Sequence, residues 1–238
     1  LAHPFLAPHL VQTLQTEGRL ADGPVTSTTL DRALQLDVEG LVRTHMAHVT
    51  LAGAGDAAVM VIDNDTAEVL AYVGSADFHD PEISGQIDMA RAPRQPGSTL
   101  KPFVYALAFE AGRSPLELLP DVPTRFREGP GHVYAPHNYH GQFGGPVSAR
   151  EALATSLNVP AVRLAADLPP GALLEALRRL GLRSLDRPAE HYGLALALGS
   201  GEVGLRELAE AYVALARGGE HQPLRVRLDA PAGPVTRV

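Results

Sequence analysis

Apolar positions at Leu30, Leu34, Leu36, Val38, Leu41, Val42, Met46 and Val49 recur at helical spacing, and Thr29 or Asp31 can cap the helix they predict. The run "LAGAG" stops it. Residues 1–27, which mix Pro, Gly, Thr and short apolar pairs, read as an extended lead-in with one helical turn around Leu10–Gln15. After the helix the period changes to two. Residues 57–74, "AAVMVIDNDTAEVLAYVG", predict a hairpin of two β-rich runs around the turn former "DNDTA". Residues 75–97 are loop-like. A helix is expected from Ser98 to Gly112, with Pro102 in its first turn, where a missing N–H does little harm.

Residues 113–147, rich in Pro, Gly, His and Tyr, predict a long surface excursion of the kind that lines a site. Ser148-Ala-Arg-Glu151 has the form of a capping box and predicts a short helix from Ala149. That helix ends near "TSLN", and Pro160 suits the first turn of the next, which carries Val162, Leu164 and Leu168. Amphipathic helices follow at about 171–180 and 205–217, closed by Gly181 and Gly218. From Pro223 the chain reads as loop or edge strand, and no internal repeat is evident.

With 238 residues and 45% hydrophobic positions, the chain can bury a real core as one large domain or two small ones. Its net charge of −7 is spread out, and no basic stripe interleaved with aromatics marks a nucleic-acid surface. No apolar run approaches the roughly 20 residues of a membrane span, and no secretory leader is visible. The absence of cysteine excludes disulfides and thiolate metal sites but leaves the compartment open.

The chemistry begins with a compositional oddity. Lys101 is the only lysine, whereas every other cationic chain position besides histidine is arginine. Ser98 stands three residues before it at a predicted helix start, so the two side chains share a face and can come within hydrogen-bond reach. That is a nucleophile beside a base. Burial and neighbouring positive charge can bring a lysine pKa down several units, whereas a guanidinium stays protonated above about pH 12. The helix N-terminus favours the neutral amine and a developing alkoxide alike. The alternative is a solvated helix lysine and a serine that only caps. A second element, Ser156-Leu157-Asn158, falls between two predicted helices. Its hydroxyl could relay a proton, and its amide could hold a peptide by donating and accepting at once. Its alternative is a capping serine ahead of Val159-Pro160.

Ser98-Thr-Leu-Lys101 followed by Ser156-Leu-Asn158 resembles the first two active-site motifs of the penicillin-binding proteins. "RAPRQPGSTLKPFVYALAFEAG", "HNYHGQFGGPVSAREALATSLNVPAVRL" and "LALALGSGEVGLRELAEAYVALARGG" are similar to the transpeptidase domain of the class A bifunctional members. "VTSTTLD" and "AAVMVIDNDTAEVLAYVGSADF" resemble the link from the glycosyltransferase domain and the first hairpin of the sheet.

The resemblance implies an α/β (α+β) penicillin-binding transpeptidase or serine β-lactamase-like fold: a central antiparallel sheet with helices on both sides, plus an all-helical subdomain. It implies a D,D-transpeptidase of peptidoglycan. Ser98 would attack the penultimate D-Ala carbonyl of a stem peptide, Lys101 would take its proton, and Ser156 would pass a proton to the leaving D-Ala. Asn158 would grip the donor, and the Ser98 backbone N–H would supply half of an oxyanion hole. An amine of a neighbouring stem peptide then resolves the acyl-enzyme, and β-lactams acylate Ser98 as donor mimics. No cofactor or metal is implied. Full-length relatives are anchored in the cytoplasmic membrane with their catalytic domains outside it, which places this chain on the periplasmic or cell-surface side.

The family's third motif, Lys-Thr-Gly, has no counterpart, since no second lysine exists. The expectation is therefore an interdomain linker segment and first helix over 1–55 and the N-terminal part of a transpeptidase domain over 56–238. The missing strands and the second oxyanion donor would lie in a remaining C-terminal part. A serine β-lactamase or β-lactam sensor is the alternative on the same fold, but no Glu-x-x-x-Asn segment is seen and Leu157 replaces the Asp of the class A β-lactamase motif. A non-catalytic wall-peptide-binding domain is the other.

Other candidates have simpler readings. Gly53-Ala-Gly55-Asp-Ala-Ala58 follows a helix and precedes a strand, the reverse of a dinucleotide site. Asp63, Asp65 and Glu68 lack the central Gly and the length of a calcium loop. His45 with His48, and His132, His137 and His140, do not make a closed zinc set. Tyr134, His137, Asn138 and Tyr139 either line the donor groove or pack the loop; Asn138 and Tyr139 are taken as substrate-binding candidates.

Overall fold

The computed structural model describes residues 5–128 and 133–238; His132 lies outside them. In chain order the helices are α1 (Pro8–Thr16), α2 (Arg32–Val49), α3 (Lys101–Glu110), α4 (Ala149–Ala154), α5 (Asn158–Asp167), α6 (Ala172–Arg179), α7 (Ala189–Tyr192) and α8 (Leu205–Ala216). The strands are β1 (Val59–Ile62), β2 (Val69–Val73), β3 (Leu118–Asp121), β4 (Phe126–Arg127), β5 (Val133–Tyr134), β6 (Gly145–Ser148), β7 (Glu220–His221) and β8 (Thr236–Arg237). They form two compact units, Leu1–Pro93 with Gly204–Val238, and Arg94–Val203.

In the first unit, β1 and β2 pair antiparallel, with a register shift at Val61/Ile62. The side-chain alternation divides the hairpin between two cores. Val59, Val61, Ala71 and Val73 face Val38, Val42 and Met46 of α2. Met60, Ile62, Val69 and Tyr72 pack with Leu10 and Leu14 of α1 and Val213 of α8. Helices thus cover both faces of the hairpin. The turn is organised by Asp63, whose carboxylate accepts from the Asp65 and Thr66 N–H groups and the Thr66 hydroxyl. The expected cap of α2 is Asp31, which accepts from the Leu34 N–H.

Two features of this unit sharpen the sequence reading. The lead-in holds a full helix, α1, with His9, Leu10, Thr13 and Leu14 buried on one side. In the tail, Arg225 exchanges backbone bonds with Ala67 and Val69, extending the β2 edge beyond the hairpin.

The second unit carries the candidate site. Its core is built by Leu100, Phe103 and Val104 around α3, Val159, Val162 and Leu164 of α5, and Leu174 and Leu177 of α6, all buried. It is not all-helical. The Pro- and Gly-rich excursion forms two ladders, β3 with β6 and β4 with β5. Among the described residues the strands pair only two by two, so the large central sheet expected from the resemblance is represented here by the β1–β2 hairpin.

Helix ends follow the sequence closely. At α3, α6 and α8 a left-handed glycine (Gly112, Gly181, Gly218) closes the last turn, and the residue after it donates back to the carbonyl three before the C-cap. The start of α4 is capped as expected, with the Ser148 hydroxyl accepting from the Glu151 N–H. No helix among the described residues is long and apolar enough to cross a membrane.

Candidate active site

Ser98 lies in a 3-10 turn, Gly97–Leu100, that runs directly into α3, and the Lys101 N–H closes this turn on the Ser98 carbonyl. The serine side chain caps neither element. It is exposed and opens onto a cavity of about 630 Å³ shared with Asn138, Tyr139, Phe143, Ser156 and Asn158. The turn is shaped by Gly97, whose φ of 59° lies in the left-handed region.

Lys101 is turned toward the Ser156–Asn158 segment and makes no hydrogen bond to the Ser98 hydroxyl, the contact that the sequence spacing allows. It is 1% exposed, so it is not the solvated helix residue of the alternative reading. Its ammonium donates to the Ser156 carbonyl at 2.6 Å, to Asn158 Oδ1 at 2.7 Å and to Ser156 Oγ at 3.0 Å. Removal from water disfavours the charge and lowers the pKa from 10.5 to about 8. Two of its three acceptors can only accept, but the Ser156 hydroxyl can also donate. A neutral amine can therefore keep both carbonyl partners and turn its lone pair to a hydroxyl, so losing a proton leaves no partner stranded.

The peptide stretch around Ser156 is bent to make this contact. The Ser156 N–H bonds to the Leu153 carbonyl and the Leu157 N–H to the Ala152 carbonyl, the same closure that ends α3, α6 and α8. Here the left-handed residue, with φ of 56°, is a serine. A non-glycine residue in that region costs about 1 kcal/mol or more, and such strain clusters at functional sites. Ser156 does not cap α5, whose first N–H groups are met instead by Asn138 Oδ1, so a capping serine is not what this position provides.

Asn158 is held from three sides. Its Oδ1 faces Lys101, its Nδ2 donates to the His137 carbonyl at 2.7 Å, and its backbone N–H donates to Asn138 Oδ1 at 2.8 Å. Asn138, a substrate-binding candidate, is buried with its amide engaged inside the protein: Nδ2 reaches both Asp121 oxygens, at 2.8 and 3.0 Å, and the Gln142 carbonyl at 2.9 Å. Tyr139 is 94% exposed and stands at the mouth of the cavity. Sequence reasoning missed Asp121, which is fully buried. Its one signal is an acid within the otherwise apolar "LLPDVP". It also missed Gly199, whose backbone lies so close to Gly97 that a Cβ there would stand 2.2 Å from the Gly97 nitrogen.

Comparison with known proteins decides the family. The penicillin binding protein transpeptidase domain family matches residues 57–229. The chain belongs to this family. Penicillin-binding protein 1C of Escherichia coli is 38% identical over 229 residues, 96% of this chain and 28% of that protein. Penicillin-binding protein 1A of Neisseria meningitidis is 37% identical over 164 residues, 68% of this chain and 20% of that protein. These relatives make it the transpeptidase domain of a class A penicillin-binding protein, and the chain spans under a third of their length. Among solved structures, PonA1 of Mycobacterium tuberculosis in complex with penicillin V superposes with a TM-score of 0.71 at 24% identity, over 97% of this chain and 62% of that one. Penicillin-binding protein 1A of Haemophilus influenzae gives a TM-score of 0.64 at 26% identity, over 77% and 27%. The transpeptidase fold expected from the resemblance is therefore the fold of this chain.

Proposed function

We propose that this transpeptidase domain is a serine D,D-transpeptidase that cross-links peptidoglycan stem peptides and is acylated by β-lactams. One observation carries the reading most directly: the single lysine of the chain is buried, with its pKa lowered to about 8, and hydrogen-bonded to both Ser156 and Asn158. With that pKa about a tenth of the molecules carry a neutral amine at pH 7. The amine takes the Ser98 hydroxyl proton as Oγ attacks the penultimate D-Ala carbonyl, and a tetrahedral oxyanion forms. The Ser98 N–H serves as one donor to that oxyanion. The proton then passes through Ser156 to the leaving D-Ala nitrogen, and the C–N bond breaks. An acceptor amine attacks the ester and releases Ser98 by the reverse relay.

The cavity beside Ser98 takes the donor peptide, with Asn158 and Tyr139 at its walls. Residues 1–55 are assigned as an interdomain segment with the first helix, and 56–238 as the N-terminal part of the transpeptidase domain. The domain works outside the cytoplasmic membrane. The β-lactam assignment draws support from the fold shared with PonA1, which was solved with penicillin V.

The test is covalent labelling of the full-length protein by a fluorescent penicillin. Label should map to Ser98 and vanish in Ser98→Ala; a protein that takes no label, or labels equally without the Ser98 hydroxyl, defeats the reading. Rapid release of the label would instead indicate a β-lactamase.

A further inference from the structure

We infer that Asp121 and Asn138 are positioning residues for this chemistry: together they fix where Asn158 stands and, through it, the Lys101 amine. The inference rests on the acyl-transfer reading and adds two residues to it.

Asp121, at the end of β3, is 0% exposed, and its carboxylate is met by neutral partners, the Asn138 amide and the Gly144 N–H at 2.7 Å. A buried carboxylate without a cation is costly, and a neutral side chain of similar shape would fold more cheaply. What the charge provides is direction. A carboxylate only accepts, so Asn138 must turn its Nδ2 toward Asp121. Its Oδ1 is thereby committed to the opposite side, where it accepts from the Asn158 N–H at 2.8 Å and the Val159 N–H at 3.4 Å. These are the first two residues of α5, whose unpaired N–H groups and dipole favour a polarised oxygen at this point.

The neighbouring residue completes the grip. The His137 carbonyl takes the Asn158 Nδ2, so two consecutive loop residues hold both the backbone and the side chain of Asn158. Its Oδ1 can then point only toward Lys101, at 2.7 Å. The result is an unbroken chain of hydrogen bonds, Asp121 to Asn138 to Asn158 to Lys101, in which the outer pair touches neither nucleophile nor base. Reacting groups misplaced by about 1 Å can lose two orders of magnitude in rate.

Exchanging the pair tests this in the full-length protein. Asp121→Asn frees the Asn138 amide to flip, and Asn138→Asp sets two carboxylates against each other. Each should slow Ser98 acylation by a chromogenic penicillin about 10- to 100-fold, the usual effect of losing an outer orienting partner. The loss should fall on the acylation step, with the affinity of the preceding non-covalent complex little changed. In the double variant, Asp121→Asn with Asn138→Asp, the amide and the carboxylate trade places. The new amide donates to the new carboxylate, whose other oxygen still faces the α5 N–H groups; only the Gln142 carbonyl loses its donor, so the rate should recover a clear part of the loss.

Single variants that acylate at the wild-type rate overturn the inference. So does a folded double variant, with its melting temperature restored, that remains slow, because a purely structural pair would recover stability without rate. If a single variant does not fold, the double variant decides alone by the same criterion. Wild-type protein that takes no label at Ser98 rejects the acyl-transfer reading itself; labelled wild type with unaffected variants rejects only the roles of Asp121 and Asn138.

Discussion

The carbonyl oxygen of Ser156 meets the Lys101 ammonium at 2.6 Å because Ser156 occupies the left-handed position that ends α4. At α3, α6 and α8 the equivalent place belongs to Gly112, Gly181 and Gly218. The chain tolerates backbone strain at the one helix end where a hydroxyl is needed beside the amine. Replacing Ser156 by Gly should keep the closure and the carbonyl contact while removing only the hydroxyl. The relieved left-handed strain, about 1 kcal/mol, is outweighed by the bond of about 1.5–3 kcal/mol that the buried ammonium loses, so we expect stability to fall slightly, with acylation falling about 100-fold from the lost proton relay. Thermal melting and penicillin acylation rates measured on one preparation check both directions. A variant more stable than wild type would show that the backbone strain, not the contact of the hydroxyl with Lys101, governs this turn.

Lys101→Arg keeps the charge and removes the titration. A guanidinium does not release its proton in the working range, so acylation should drop by at least about 100-fold even where the variant folds. In the wild type the rate should rise with pH through about 8, as the amine becomes neutral. The sign for stability follows from the same shift. The folded pKa of about 8 lies below the ordinary 10.5, so the unfolded chain binds the extra proton between those values. Lys101 therefore opposes folding below about pH 8, and the opposition fades as pH rises through the window to 10.5. Denaturant unfolding of wild type and Lys101→Met, compared from pH 7 to pH 10.5, should show the wild type gaining relative to the variant.

Gln35 offers a test confined to the first unit. It is 1% exposed on α2, and its amide spans one residue of β2, accepting from the Tyr72 N–H at 2.7 Å and donating to the Tyr72 carbonyl at 3.0 Å. The side chain thus satisfies a stretch of strand edge that no neighbouring strand covers on that side. Gln35→Leu conserves bulk but strands two buried backbone groups. It should cost about 2–4 kcal/mol, seen as a lowered denaturation midpoint, and Gln35→Glu should recover at most the bond from the Tyr72 N–H.

Local rules carried much of this architecture. The cap at Asp31, the hairpin, the capping box at Ser148 and the glycine stops at Gly181 and Gly218 each depend on a few adjacent residues, and each stands where spacing placed it. Helix α1 showed only as one turn around Leu10–Gln15 because its buried face, His9, Leu10, Thr13 and Leu14, is half polar, so its apolar stripe is thin. The β4–β5 ladder escaped because its strands are two residues each, too short for alternation to show, and the β3–β6 ladder because Pro120, Gly145 and Pro146 interrupt its strand pattern. At the site, the rarity of lysine and two short motifs singled out Ser98, Lys101, Ser156 and Asn158. Asp121 and Asn138 work through partners far along the chain, 17 and 20 residues apart in their contacts, and no local pattern records which amide a buried carboxylate will orient.

Gly199 sets the nucleophile from behind. It ends the 3-10 segment Gly193–Leu198 with φ of 79°, and a Cβ there would fall 2.2 Å from the Gly97 nitrogen and 2.4 Å from its oxygen. Both contacts are to backbone, so no side chain can swing aside to make room. Gly199→Ala must either push the Gly97–Leu100 turn outward or break the left-handed end of its own segment. Because Gly97 immediately precedes Ser98, the displacement reaches the reacting oxygen and its own N–H together. We expect a loss of about 1–3 kcal/mol in stability, in the range of overpacking and left-handed strain. Acylation should fall at least about 100-fold, the scale of a misplacement near 1 Å. Gly218→Ala is the matched control, since its left-handed φ of 65° imposes similar strain while its Cβ would meet nothing within 4 Å. It should lose only the strain component, about 1 kcal/mol, and keep its rate. Equal rates in the two variants would show that Gly199 does not position Ser98.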